Sequence, residues 1–393
     1  AGCGALDEAI GHWLAAQAFD EAATAIETIG EALLQAGRLN RLADWIDALP
    51  PDVLAQHPRL HALLGDTYRL RSLFDGALAW YAQAEQGWRA RDDTAGISRA
   101  LRGQALVYLD TVRAAQAETL LQEALRLADG TPDREARARL LMLMAENKLN
   151  LGKPAEAEAL RREAEVLRNE APDDNTLDAR VKLRTGQLAE ARQALEALAA
   201  AEERAARTAP AGAIGPPRAH RETVLLLSLV EALMGQSARA YALAQEGIAL
   251  GERLESPFIT AVGYMRLGHA LQLGAGAEGT GDATSWYHKA IVLGDKLAVR
   301  RTRAEAMWGL TRAYGYGGDL AVAASSAAEG MEIATDSGDV WMLALASIAL
   351  GASHALAGEY AGALPILTRA LNAFRECSDS FGRAAARLWM AYA

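Results

Sequence analysis

Between Ala304 and Ala328 the chain reads AEAMWGLTRAYGYGGDLAVAASSAA, and its apolar positions recur with a helical period. Met307, Leu310 and Tyr314 fall at i, i+3 and i+7, which makes one inward-looking stripe on a helix. Glu305, Trp308, Arg312 and Tyr316 form a second stripe, rotated away from the first and both polar and aromatic. Gly317-Gly318 breaks the pattern. Leu320, Ala323 and Ala327 then restart it, with small residues where two helices must approach closely. The stretch predicts a helical hairpin.

The same unit recurs along the chain. A small residue early in the second helix appears at Ala77, Ala117, Ala157, Ala191, Ala240, Ala283, Ala323 and Ala363, mostly about 40 residues apart, the spacing of a helical solenoid. A partner marker lies on the first helix, where Gly65, Ala105, Ala145, Thr311 and Gly351 each precede a larger residue by about a turn. Before Ala77 the period shortens: helices are expected near Phe19 to Gln35 and Arg38 to Ala48, the second ended by Pro50-Pro51. Further breaks fall at Thr131-Pro132, from Ala171 to Asn175, and in TAPAGAIGPPRAH from Thr208 to His220. The expected organisation is therefore N-terminal hairpins over 1–57, a first arm over 58–207, a linker over 208–220 and a second arm over 221–393.

Composition agrees with this reading. Of 393 residues, 51% are hydrophobic, with alanine and leucine dominant and β-branched runs nearly absent, so an all-α protein is expected. Stacked repeats also explain how so long a chain needs no single central core. Forty Lys+Arg against fifty Asp+Glu give a net charge of −10, which argues against nonspecific nucleic-acid binding by the chain as a whole. Cys3 and Cys377 are far apart and lack metal-ligand spacing, so a reducing, cytoplasmic setting is expected. The clearest apolar run, Val224 to Leu229, is far too short for a membrane span. No signal peptide is expected, and the opening AGCGALDEA reads as mid-helix, as in a piece of a longer chain.

The hairpins match the tetratricopeptide pattern: a small residue early in the first helix, an aromatic soon after, a G-D or G-E turn, then Ala. The opening run, EAIGHWLAAQAFDEAATAIE followed by LLQAGRLNRLADWIDALPPDVLAQHPRLHALLGDTYRLRSLFDGALAWYAQAE, resembles the start of the sensor region in MalT-like activators. These are STAND ATPase transcriptional regulators with LuxR-type or SARP-type DNA-binding domains. LDARVKLRTGQLAEARQALE and ESPFITAVGYMRLGHALQL resemble the same family, so the likeness spans nearly the whole chain. It implies an α-solenoid wound as a right-handed superhelix that binds an inducer and passes the signal to nucleotide-binding and DNA-binding modules. Those modules leave no trace here. There is no G-x-x-x-x-G-K-[ST] phosphate loop and no convincing helix-turn-helix, so neither ATP hydrolysis nor direct nucleic-acid contact is assigned to this fragment.

Catalysis is not expected either. His57 and His61 lack an acidic or Cys ligand at metal spacing, and the glycine-rich GAGAEGTG from Gly274 to Gly281 lacks the lysine of a phosphate cradle. No metal, cofactor or catalytic residue is assigned. A solenoid instead offers binding along its concave face. In the second arm Arg266, His269, Gln272, Glu305, Trp308, Arg312 and Tyr316 combine flat rings with directional polar groups, which suits a small polar inducer. The competing reading pairs Glu305 with Arg312 on a solvated face and packs Trp308 on the next hairpin; in either reading Trp341 and Trp389 are expected in the core. In the first arm Arg59, Arg69, Arg99, Arg102 and Arg139 form a basic inner row suited to an acidic peptide or partner protein. Two functions stay open: an inducer-sensing arm, monomeric in isolation, or a protein-interaction scaffold.

Overall fold

The computed structural model describes residues 2–129, 133–168, 176–208, 222–274 and 280–393. Among the described residues 21 helices follow one another and no strand occurs. Four lead in: α1 (Gly2–Ala15), α2 (Phe19–Gln35), α3 (Leu39–Asp47) and α4 (Pro51–Ala55). The first arm is four hairpins, α5 (Pro58–Leu70) with α6 (Phe74–Arg89), α7 (Thr94–Asp110) with α8 (Ala114–Ala128), α9 (Arg134–Asn150) with α10 (Pro154–Leu167), and α11 (Thr176–Arg184) with α12 (Leu188–Thr208). The second pairs α13 (Thr223–Leu233) with α14 (Ser237–Arg253), α15 (Pro257–Gly274) with α16 (Thr280–Lys296), α17 (Arg300–Tyr316) with α18 (Leu320–Ser337), and α19 (Val340–Leu356) with α20 (Tyr360–Glu376). Helix α21 (Ser380–Tyr392) follows and packs on α20 and α19. The breaks at 131–132 and 171–175, the linker apart from Thr208, and residues 275–279 of the glycine-rich stretch lie outside the described residues.

Local chemistry sets the boundaries. Asp93, Asp133, Asp319, Asp339 and Asp379 each accept a hydrogen bond from the backbone N–H three residues on, capping the helices that follow. Pro51, Pro58 and Pro154 stand at or beside the first helical position, where a missing N–H costs nothing. The eight repeat markers from Ala77 to Ala363 are all fully buried, each at 0% exposure. Only a methyl-sized side chain fits there, because the second helix of each hairpin lies close against its neighbours. The array is thus an α-solenoid of tetratricopeptide-like hairpins.

One expectation needs correction. An extended, open concave face was expected in the second arm, but Leu225, Leu229, Val262, Met265 and His269 are all buried, and so are Glu305 and Trp308. The first half of the polar-aromatic stripe of α17, Glu305 and Trp308, is covered because it reaches sideways to α15 and the neighbouring hairpins, whereas Arg312 and Tyr316 further along are half-buried. The two arms also meet. Left-handed residues close turns at Ser72, Val112, Gly152 and Gly186 in the first arm, and at Glu255, Ala298, Gly338 and Ser378 in the second. These rows face each other. Phe74 meets Phe258 edge-on at 6.1 Å, the 112–115 turn shares a cleft with 298–301, and Leu151 approaches Gly338. At the far end Ser380 donates from both its N and Oγ to the Thr185 carbonyl, each at 3.1 Å. Gly186, at φ +79°, leaves room for no side chain, since a Cβ there would sit 2.4 Å from the Phe381 nitrogen. Across this seam the buried Arg184 guanidinium donates to both Asp339 oxygens, at 2.8 and 3.2 Å.

Candidate functional site

The seven second-arm residues separate into two groups. Arg266, His269, Gln272 and Glu305 form an internal network among α13, α15 and α17. Arg266 donates through Nε to the Leu225 carbonyl at 3.1 Å, through Nη1 to His269 Nδ1 at 3.2 Å, and through Nη1 to Glu305 in a close ion pair. Gln272 donates to the Gly309 carbonyl and accepts from the Tyr287 hydroxyl, both at 2.9 Å. Arg266 and Glu305 are nearly solvent-free, so the charges answer each other rather than a visitor. Burial holds the His269 pKa down at about 3, with Arg266 pushing the same way. Burial opposes the charge of Glu305, but Arg266, His269 and Arg301 outweigh it and pull its pKa down to about 2. Glu305 therefore pairs with Arg266, not with Arg312.

Trp308, Arg312 and Tyr316 stand elsewhere. They wall a cavity of about 230 Å³ bounded also by the start of α12, by α19, and by α20 and α21. The Arg312 guanidinium lies 5.0 Å above the Tyr316 ring, and Tyr316 in turn faces Trp389 at 6.0 Å. The cavity wall includes Trp341, Phe374, Asp379, Phe381 and Trp389, none of which the sequence singled out as ligand contacts. Trp341 is buried, as expected of core, but Trp389 is only half-buried, because no further hairpin among the described residues packs over α21. Among the described residues no three His, Cys, Asp or Glu side chains are grouped to hold a metal ion. His61 stacks on Trp80 at 5.6 Å, and burial lowers its pKa. Burial pushes the Cys377 thiol up to about 12, away from nucleophilic use.

The first-arm arginines also divide. Arg69 is structural, donating to the buried Asp110 carboxylate at 2.8 Å. Arg59, Arg99, Arg102 and Arg139 line one groove of about 370 Å³ across α5, α7 and α9. Arg102 and Arg139 continue into a second hollow of about 290 Å³, where Leu106, Met142, Arg168 and Arg180 supply further walls. Arg99 pairs with Glu31 at 2.8 Å, and Arg139 reaches Glu135 only at 3.8 Å. The buried Nε of Arg102 has no acceptor among the described residues. Burial pushes its pKa down; Arg99 and Arg139 push the same way, and Asp66 opposes them. The groove is a place where positive charge gathers in a chain that is otherwise acidic.

No protein-family model matches the sequence, and no curated protein does so significantly. Solved structures do resemble it. The Rap conjugation gene regulator of the plasmid pLS20, solved in complex with the Phr* peptide, superposes with a TM-score of 0.56 at 14% identity, covering 85% of this chain and 95% of the other. A Rap protein complexed with Competence and Sporulation Factor aligns over 95% of this chain and 97% of its own, with a TM-score of 0.38 at 11% identity. A STAND protein with a tetratricopeptide repeat sensor from Pyrococcus horikoshii aligns over 90% of this chain and 55% of its own, with a TM-score of 0.43 at 14% identity. At such identities the likeness is one of fold, and the first of the three carries it. The class is that of tetratricopeptide-like helical repeat proteins. Among the described residues no helix is long and apolar enough to cross a membrane.

Proposed function

We propose that this chain is a tetratricopeptide-like recognition module whose first-arm groove captures an acidic peptide or the acidic segment of a partner protein. The observation that carries the reading is the groove shared by Arg59, Arg99, Arg102 and Arg139, with two buried guanidinium nitrogens, the Nε of Arg99 and of Arg102, left unsatisfied. Carboxylates laid along it would meet planar donors at successive repeats, and Leu106 and Met142 offer apolar contact between them. The peptide complex of the plasmid regulator supports the same use of a similar fold. Fluorescence anisotropy with a Glu-rich labelled peptide tests it. Binding is expected to weaken as salt rises, and the Arg102→Ala, Arg139→Ala double variant to weaken it about tenfold or more. Equal binding of a peptide with Gln in place of every Glu would refute the groove as an acidic-segment site.

A second reading is favoured by the cavity beside Trp308, which a small effector would fill; the chain would then act as the inducer-sensing arm of a STAND regulator. In both readings it works without a cofactor or catalytic step of its own, in the cytoplasm, and as a monomer when isolated. Its onward partners would be the nucleotide-binding and DNA-binding modules of a parent regulator.

A further inference from the structure

The cavity beside α17 has an unbalanced set of hydrogen-bonding groups. Trp308 is buried at 2% exposure, yet its indole Nε1–H has no acceptor among the described residues. One turn on, the Nε–H of Arg312 is buried and unpartnered as well. Behind Trp308, ring to ring at 4.9 Å, lies His269. A guanidinium only donates, so His269 must accept at Nδ1 from Arg266 and carry its proton on Nε2, which also lacks a partner. Three N–H donors are therefore left over within one small region. Each is stripped of water without a protein acceptor in exchange, which favours an occupant that supplies one.

The carboxylate on the wall is engaged with other donors. Asp379 accepts from the Trp341 indole at 3.0 Å and from the Gly382 N–H at 2.8 Å. Arg184, against the Trp341 face, is committed to Asp339. What the Trp308 and Arg312 N–H groups lack is an acceptor, preferably an anionic one to face Arg312. Its remaining surface is flat and apolar: Tyr316, Trp341, Phe374, Phe381 and Trp389. The volume of about 230 Å³ equals roughly seven to eight waters at ~30 Å³ each, the size of a compact ring with a short side chain. Half-buried Tyr316 and Trp389 and exposed Phe381 open one edge to solvent.

We infer that this cavity binds a small carboxylic acid with a ring-sized apolar body, its carboxylate on the Arg312 and Trp308 N–H groups and its body among the aromatic walls. The inference rests on the second reading above and gives it a chemical class; it is independent of the arginine groove. A neutral amide would leave the charge of Arg312 unanswered, and an ammonium would be repelled by it.

The test uses the full chain and three probes of one shape: 3-phenylpropanoate, 3-phenylpropanamide and 2-phenylethylammonium, titrated by calorimetry with tryptophan fluorescence in parallel. Saturable binding of the acid is expected, with the amide about tenfold or more weaker and the ammonium silent. Arg312→Gln should weaken the acid about tenfold while leaving the amide and the melting temperature little changed, because the side chain is only half-buried. Trp308→Phe should weaken the acid too, and Ala385→Phe, on the cavity wall, should abolish binding of every probe by filling the space. Equal affinities for acid and amide, or an unaltered acid affinity in Arg312→Gln, overturn the carboxylate assignment while the small-effector reading stands. No saturable binding of any probe at millimolar concentration overturns both.

Discussion

His269 and Glu305 show how the same side chains that suit a ligand can serve the protein instead. Their spacing along the sequence is that of a recognition stripe, and nothing in it says that Arg266 will lie between them. Once paired, they make stability depend on pH. The folded pKa of His269, about 3, lies below its ordinary 6.5, so the unfolded chain binds the extra proton. Its contribution is complete above about pH 6.5 and is lost at about 1.4 kcal/mol per pH unit as pH falls toward 3. Glu305, at about 2 against an ordinary 4.5, contributes fully above 4.5 and loses that contribution as pH falls toward 2. Urea midpoints should therefore drop between pH 7 and 4.5, and His269→Gln should flatten that drop. A slope untouched by the substitution would show that His269 stays accessible to protons in the folded chain.

At the scale of the element, two tyrosines organise the hairpins around them. Tyr81 and Tyr287 stand four residues after the markers Ala77 and Ala283, and both rings are buried. Tyr81 fits between Gly65 and Gly103, Tyr287 between Gly268 and Gly309. The place of Tyr287 after its marker is that of a packing residue. The ring that needs Gly65 is not the larger residue one turn on along the same helix but Tyr81, on the opposite helix. A Cβ at Gly309 would lie 2.2 Å from the Tyr287 ring, which has no room to retreat. Gly309→Ala should cost about 1–3 kcal/mol in urea unfolding, even though alanine favours helix by about 1 kcal/mol. Gly11→Ala in α1, where no heavy atom lies within 4 Å of the added carbon, is the contrasting case and should stabilise slightly. Equal effects at the two sites would mean that the ring does not occupy the glycine space.

For the whole molecule the deciding feature is the seam between the arms. Arg184 and Asp339 are 155 residues apart, and their side chains are 6% and 5% exposed. Asp339 also caps α19, so the seam and the local fold share one carboxylate. Arg184→Met leaves that carboxylate buried without its cation, a loss of about 3–5 kcal/mol. We expect the arms to part: small-angle scattering should show a larger radius of gyration, with helical circular dichroism retained. An unchanged scattering profile and unchanged stability would mean that the other seam contacts hold without it. The cavity beside Trp308 takes walls from both sides of this seam, so the same variant should also lower affinity for any occupant.

By itself the sequence determined the helices, their pairing and their repeat. Periodicity, caps and prolines act within about a turn, and a methyl-sized residue is needed wherever neighbouring helices touch. It also marked the residues that carry unusual chemistry, Arg102 and Trp308 among them. Tertiary structure alone decided which of those remained available. Superhelical winding brought Thr185 to Ser380 and Arg184 to Asp339, closed Arg266, His269 and Glu305 on one another, and left Arg102, Trp308 and Arg312 with nitrogens unsatisfied. The reason is cumulative geometry. Small rotations between successive hairpins add along the array, so which distant rows meet is a property of the whole stack and of no single repeat.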